Sequence, residues 1–162
     1  MKKLIWLFLL FPLFSFGQVP MEKGSQLGIR VGGGINYGSG FDLSYIKPIG
    51  SIHRIDITMP FRFDGKSTSW QVNGYYEIQG SLNDEVTLFV GPGVGFGATW
   101  HKDNLSDNYG FILNLGAVAG ITYSTPKLPF DIDFSMRPTF VTVNNYDGVF
   151  NLDFTVGFLY RF

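Results

Sequence analysis

The chain has no cysteine. That excludes disulfides, thiolate metal sites, a cysteine nucleophile and a lipid anchor attached through an N-terminal cysteine. Charge is also scarce: Asp, Glu, Lys and Arg make up 15% of the 162 residues, against about a quarter in an ordinary soluble domain. No basic surplus is present to hold a nucleic acid. Beyond the first seventeen residues there is no apolar run approaching the ~20 residues of a membrane helix. Hydropathy alone would therefore describe a soluble periplasmic domain. What the chain has in quantity is aromatic residues, 17% of the total, and 21 glycines. That combination suits a surface that meets lipid better than one that meets water.

The N-terminus reads as a secretory signal: Lys2 and Lys3, then an apolar run from Leu4 to Phe14 broken only by Pro12, then Ser15 and Gly17 as small residues before a cleavage point. The apolar stretch is too short for a ~30 Å hydrocarbon core. The expected organisation is a signal peptide over 1–17, a short periplasmic segment over 18–24 and one domain over 25–162. Removing Lys2 and Lys3 leaves 10 basic against 13 acidic residues.

From residue 25 onward the signal is a period of two. Strand side chains alternate between faces, so segments of about ten residues with one bulky apolar face and one small or polar face read as strands of a membrane barrel. Eight such segments follow: Gln26–Ile35, Phe41–Ile46, His53–Phe63, Ser69–Gly80, Glu85–Trp100, Tyr109–Tyr123, Phe130–Val141 and Phe150–Phe162. In the third, Ile55, Ile57, Met59, Phe61 and Phe63 alternate with Arg54, Asp56, Thr58 and Arg62. In the second, Phe41, Leu43 and Tyr45 oppose Asp42 and Ser44. The fold expected is all-β, an eight-stranded antiparallel up-and-down transmembrane β-barrel. Its outer loops are Asn36–Gly40, Asp64–Thr68, His101–Asn108 and Asn144–Val149, and its inner turns Lys47–Ile52, Ser81–Asp84 and Ser124–Pro129. Pro60, Pro92 and Pro138 fall inside strands, where a missing N–H predicts bulges or rim positions.

A soluble lipocalin-like barrel would use the same alternation with the apolar face inside. Size decides against it. The apolar face carries Phe, Trp, Tyr, Ile or Leu in every segment, whereas an eight-stranded barrel has room inside only for ordinary side chains. The opposite face is rich in Gly, Ser, Thr and Asn. Trp70, Trp100, Tyr109, Phe63 and Phe150 fall at the outer strand ends, and Tyr45, Tyr123, Phe130, Tyr160 and Phe162 at the inner ends, as two interfacial girdles. The chain ends on Phe162, preceded at alternate positions by Tyr160, Phe158, Val156 and Phe154. With these residues the sequence resembles the outer-membrane β-barrel families of Gram-negative bacteria, in particular small OmpA/OmpX-like barrels. The resemblance implies that the last strand is the recognition signal for the barrel-assembly machinery, that the other partner is outer-membrane lipid, and that the protein resides in the outer membrane. A monomer is expected.

No catalytic, cofactor-binding or metal-binding residue is assigned from the sequence, and no cofactor is implied. His53 at an inner turn and His101 at an outer loop are too far apart to share a site. His101, Asp103, Ser106 and Asp107 share one loop, the composition of a nucleophile with a base and an orienting acid, but equally of an ordinary hairpin tip. Gly91, Gly93, Gly95 and Gly97 lack the lysine and helix of a phosphate loop and instead make room for Phe89, Tyr75 or Ile112. Arg30, Arg54, Asp56, Arg62, Glu77, Asp131, Asp133, Arg137, Asp153 and Arg161 are expected in the lumen, five arginines against five acids, as an ion-pair network rather than a pore. Asp131, Asp133 and Asp153 lie on neighbouring strands, so Arg137 or Arg161 is expected among them. The function expected is a structural or surface-interaction role in the cell envelope. The alternatives are a lipid-A-modifying enzyme and a small channel or ligand-binding barrel.

Overall fold

The computed structural model describes residues 24–65, 67–103, 106–125, 127–143 and 149–162. The expected signal peptide and the segment up to residue 23 lie outside the described residues. Eight strands follow one another: β1 (Gln26–Gly34), β2 (Gly38–Pro48), β3 (His53–Phe63), β4 (Ser67–Ser81), β5 (Val86–Asp103), β6 (Ser106–Ser124), β7 (Phe130–Val143) and β8 (Val149–Arg161). Each pairs antiparallel with its sequence neighbours, and β8 pairs back onto β1, so the sheet is a closed barrel without an edge. Closure gives every wall strand two partners, which hydrocarbon demands.

The register fixes the barrel's width. From Gln26 the partners run Ile46, Asp56, Tyr75, Gly93, Gly116, Thr139 and Asn151. Asn151 then accepts a hydrogen bond from the Asn36 backbone N–H at 3.1 Å, so one circuit advances ten residues along the first strand, from 26 to 36. With strands about 4.8 Å apart and tilted about 40°, opposite backbones stand about 16 Å from each other. Such an interior is filled by side chains from its own walls.

The connections follow local chemistry. Gly38 closes the β1–β2 turn at φ 72° and Gly65 lies in the β3–β4 turn at φ 63°, a left-handed conformation in which a Cβ is strained. In the β4–β5 turn Asn83 Oδ1 accepts from the N–H groups of Glu85 and Val86 at 2.9 and 2.7 Å. The expected outer loop His101–Asn108 is shorter than its sequence suggested. The β5–β6 ladder continues through His101↔Asn108, Lys102↔Asp107 and Asp103↔Ser106, because a backbone ladder pairs polar residues as readily as apolar ones. The side chains of residues 101–108, including the His101, Asp103, Ser106 and Asp107 set, lie outside the described residues, as does the loop 144–148.

The prolines differ from expectation. None makes a bulge. At Pro60 the β3–β4 pairing lapses between Thr58↔Asn73 and Phe61↔Trp70, at Pro92 the β4–β5 pairing lapses between Tyr75↔Gly93 and Ile78↔Val90, and at Pro138 the β6–β7 pairing lapses between Gly116↔Thr139 and Ala119↔Met136. Each ladder resumes in the register it left, so no residue is inserted. A proline withholds one N–H from one neighbour only, and pairing to the other side persists, as at Asp42↔Pro60, Pro92↔Ala117 and Pro138↔Leu152.

Candidate functional site

Among the described residues two surfaces are chemically distinctive, the outer wall of the barrel and its lumen. The wall is apolar. Phe134 is 46% exposed and Phe154 41%, while Asp133 is fully buried and Arg54 is 1% exposed. The girdle residues Phe63, Trp100, Tyr109 and Phe150 are exposed at the outer strand ends, and Tyr123, Phe130, Tyr160 and Phe162 at the inner ends. Neighbouring rings pack on the wall surface: Trp100 on Tyr109 at 6.2 Å, Phe41 on Phe61 at 5.1 Å and Phe130 on Phe158 at 4.8 Å. The bulky face is therefore outside.

The charged groups lie inside, and they contact one another across strands. Arg30 on β1 donates from Nε and Nη2 to the two carboxylate oxygens of Asp133 on β7, at 2.7 and 3.1 Å. Its Nη1 reaches Asp56 on β3 at 2.8 Å and Ser44 on β2 at 2.7 Å, and the Ser44 hydroxyl donates to Asp56 at 2.9 Å. One guanidinium thus binds three other strands. Gly157 of β8 lies beneath the Arg30–Asp133 bridge: a Cβ there would stand 2.6 Å from Arg30 Cγ and 2.7 Å from Asp133 Oδ1. Arg54 pairs with Glu77 at 2.5 Å and stacks over the Phe89 ring at 4.2 Å.

A second group sits nearer the outer end. Asp42 on β2 receives Arg62 from β3 and Arg137 from β7, each at 2.5 Å, and Arg62 also reaches Asp153 on β8 at 2.6 Å. The Arg137 guanidinium lies 5.4 Å from the centre of the Tyr75 ring. That ring occupies the space left by Gly93, one of the glycines expected to make such room, whereas Phe89 rests on Gly120 of β6. At the inner end Asp131 receives the Gln26 amide and lies 3.4 Å from Arg161.

All ten charges expected in the lumen are on the inward face, nine of them buried and Arg161 partly exposed. Their partners differ from expectation. Arg161 does lie beside Asp131, but Arg137 crosses to Asp42, Asp133 belongs to Arg30, and Asp153 to Arg62. The backbone pairs Arg137 with Asp153 and Arg30 with Asp42, yet both arginines choose more distant acids. In a lumen this narrow a long side chain reaches several walls, so the strand register does not select its partner. The balance of five against five also missed Asp42, fully buried on the polar side of β2. The alternation with Phe41 and Leu43 already puts it on that face.

Above Arg62 and Arg137 remains a void of about 30 Å³, lined by Gln71, Asn73, Tyr75, Thr139, Asn151 and Asp153 among others. Asn114 donates to Gln71 Oε1 at 2.7 Å and to Asn73 Oδ1 at 2.9 Å beside it. A space of that size holds a water or two and is far below the 300–1,000 Å³ of a ligand pocket. Tyr37, in the β1–β2 turn, also lines it, and burial pushes its phenol above the ordinary value, so it stays neutral. His53, at the inner end of β3, is stacked on Tyr76 and hydrogen-bonded through Nδ1 to its hydroxyl at 3.1 Å. Among the described residues no group of three or more His, Asp or Glu could hold a metal ion.

Comparison with solved structures locates this architecture. Neisserial surface protein A (NspA) superposes with a TM-score of 0.69 over 85% of this chain and 96% of its own, at 16% identity. Ail, the attachment invasion locus protein of Yersinia pestis, gives 0.61 over 88% and 100% at 18% identity. The N-terminal β-barrel domain of Pseudomonas aeruginosa OprF gives 0.62 over 86% and 100% at 13% identity. The chain has the fold of the small outer-membrane β-barrels. At these identities the likeness is one of fold. No protein-family model matches the chain, and no curated protein matches it in sequence.

Proposed function

We propose that this protein is an integral barrel of the outer membrane, with its lumen closed by its own side chains and a structural or surface-interaction role in the cell envelope. The observation that carries this reading is the two-faced wall: phenylalanines, isoleucines and leucines exposed all round the outside, and arginine–carboxylate bridges spanning the inside. Exposed apolar area on that scale is not left to water. Bridges between non-adjacent strands, and a void of only about 30 Å³ beside them among the described residues, support a lumen closed to bulk water. That NspA is named a surface protein and Ail an attachment protein supports the surface arm of the proposal. Export by the 1–17 signal and insertion through recognition of the strand ending at Phe162 complete it.

Two measurements test it. In the membrane fraction the unboiled protein should migrate anomalously on a gel and the boiled protein normally, because a closed barrel survives detergent; recovery in the periplasmic extract instead overturns the membrane assignment. In planar bilayers the purified barrel should give no steady, resolved channels. Reproducible unitary conductance overturns the closed lumen while leaving the fold intact.

A further inference from the structure

The inward charges divide into groups that differ in balance. Near the outer end Arg62 and Arg137 face Asp42 and Asp153, two against two. At the inner end Arg161 faces Asp131, one against one. The middle group is uneven: Arg30 is shared by Asp56 and Asp133 while Arg54 pairs with Glu77, two arginines against three carboxylates. Arginine stays protonated in any protein environment, so three ionised carboxylates here would leave one negative charge uncompensated in a dry interior. Burial of that kind is relieved by proton uptake on the carboxyl group that is least supported.

Glu77 is that group. Asp133 receives two hydrogen bonds from Arg30, and Asp56 has Arg30 and the Ser44 hydroxyl. Glu77 has a single contact, from Arg54 Nε to Oε2. Its Oε1 is buried with no hydrogen-bond partner, and the residue is fully buried; Asp56 Oδ2 also lacks a hydrogen bond but lies 2.8 Å from Arg30 Nη1, so both Asp56 oxygens are supported. The charged groups facing it are Arg54 and Asp56 from β3 and Arg30 from β1. The inward residues of β5 beside it, Thr87, Phe89 and Gly91, do not titrate, and its own strand offers Tyr75 and Gln79. We propose that Glu77 is a neutral carboxylic acid in the folded barrel, so that the interior holds one proton and no net charge, and that losing this proton is a pH-sensitive step built into the lumen network.

The inference rests on the closed lumen, since bulk water there would solvate an extra carboxylate. The test is infrared spectroscopy of the barrel refolded in lipid vesicles in D2O at neutral pH. A C=O stretch of a protonated carboxylic acid is expected in the wild type, absent from Glu77→Gln and retained in Asp153→Asn. Absence of the band from the wild type, or its survival in Glu77→Gln, overturns the proposal. The Gln amide keeps the shape and an acceptor for Arg54, so this variant is expected to fold. Stability against pH supplies a second readout. A carboxyl that keeps its proton only when folded contributes stability at low pH that is lost as pH rises. The folding equilibrium constant of the wild type, relative to Glu77→Gln, should therefore fall by up to tenfold per pH unit above about pH 5. Parallel pH curves for the two proteins also overturn it. Conductance reports on the closed lumen separately, so failure of that reading is distinguishable from failure of this one.

Discussion

Asp42→Asn is the substitution that tests the interior network most directly. Asp42 is fully buried and receives both Arg62 and Arg137. The asparagine keeps the shape and removes the charge. Arg62 retains Asp153 at 2.6 Å and the Phe61 carbonyl at 3.2 Å, so its loss is small. Arg137 loses its counter-charge and keeps the face of Tyr75 and at most a neutral amide acceptor, since its Nε and Nη2 are buried without partners. Stripping one partner from a buried pair costs about 3–5 kcal/mol. The remaining ring contact offsets about 0.5–2 kcal/mol. A net loss of about 3 kcal/mol follows, roughly two decades in the folding constant. Urea unfolding of the barrel in lipid vesicles, followed through the interfacial Trp70 and Trp100, measures it. The companion variant Asp42→Asn with Arg137→Met removes the orphaned charge as well and should recover at least half of the loss. A single variant costing under about 1 kcal/mol, or a double variant no better than the single, would refute the assignment of Arg137 to Asp42 as a buried pair.

Four further outcomes are expected. Gly157→Ala pushes a methyl group into the Arg30–Asp133 bridge and should cost about 1–3 kcal/mol in the same unfolding assay. Phe134→Arg puts a charge on the lipid-facing wall and should cost about 2–4 kcal/mol near the bilayer midplane; a neutral result would place that face elsewhere. Removal of Phe162 should lower the amount of heat-modifiable barrel in cells while leaving refolding of the purified chain into vesicles little changed. Lipid A extracted from cells carrying His101→Ala should match wild type by mass spectrometry, and an altered profile would favour the enzyme over the structural barrel.

The sequence displays this fold unusually fully, because a membrane barrel repeats one instruction in every strand. His53–Phe63 was legible to the residue: its alternation of Ile55, Ile57, Met59 and Phe61 with Arg54, Asp56, Thr58 and Arg62 has no break. The apolar alternation marks the second strand only over Phe41–Ile46, whereas it spans Gly38–Pro48, since glycine and serine pair in a ladder without leaving an apolar mark. The face of each charge was legible for the same reason, but the partner was not. Arg54 and Glu77, opposite one another in the register, could be matched from a strand alignment. Arg30 with Asp133, or Arg137 with Asp42, join strands that are not neighbours in the barrel, and nothing local in either strand encodes that choice. The prolines mark a second limit. A residue that lacks an N–H predicts a disturbed ladder, but whether the ladder bulges or skips depends on the neighbouring strands holding their register.

The two possible barrels, soluble and membrane-bound, share this alternating pattern and differ only in its sign, so polarity cannot separate them. Volume can. The inward face holds Gly91, Gly93 and Gly97 on β5 alone, all buried, with Tyr75 lying on Gly93. Reversed, the lumen would have to take Val94, Phe96 and Trp100 from that strand in a space about 16 Å wide between backbones, together with comparable residues from the other seven strands. The glycines would then line the outside, where nothing packs against them. The chosen sign leaves a lumen with too little apolar volume to be an oily core. Long polar side chains fill it instead, and a filled polar interior is stable only when its charges meet. The arginine–carboxylate bridges are thus a consequence of which way the strands face. Reversing the orientation by argument removes the reason for Arg30, Asp133 and Asp42 to be buried at all, and their burial is what makes the membrane-facing wall the consistent solution.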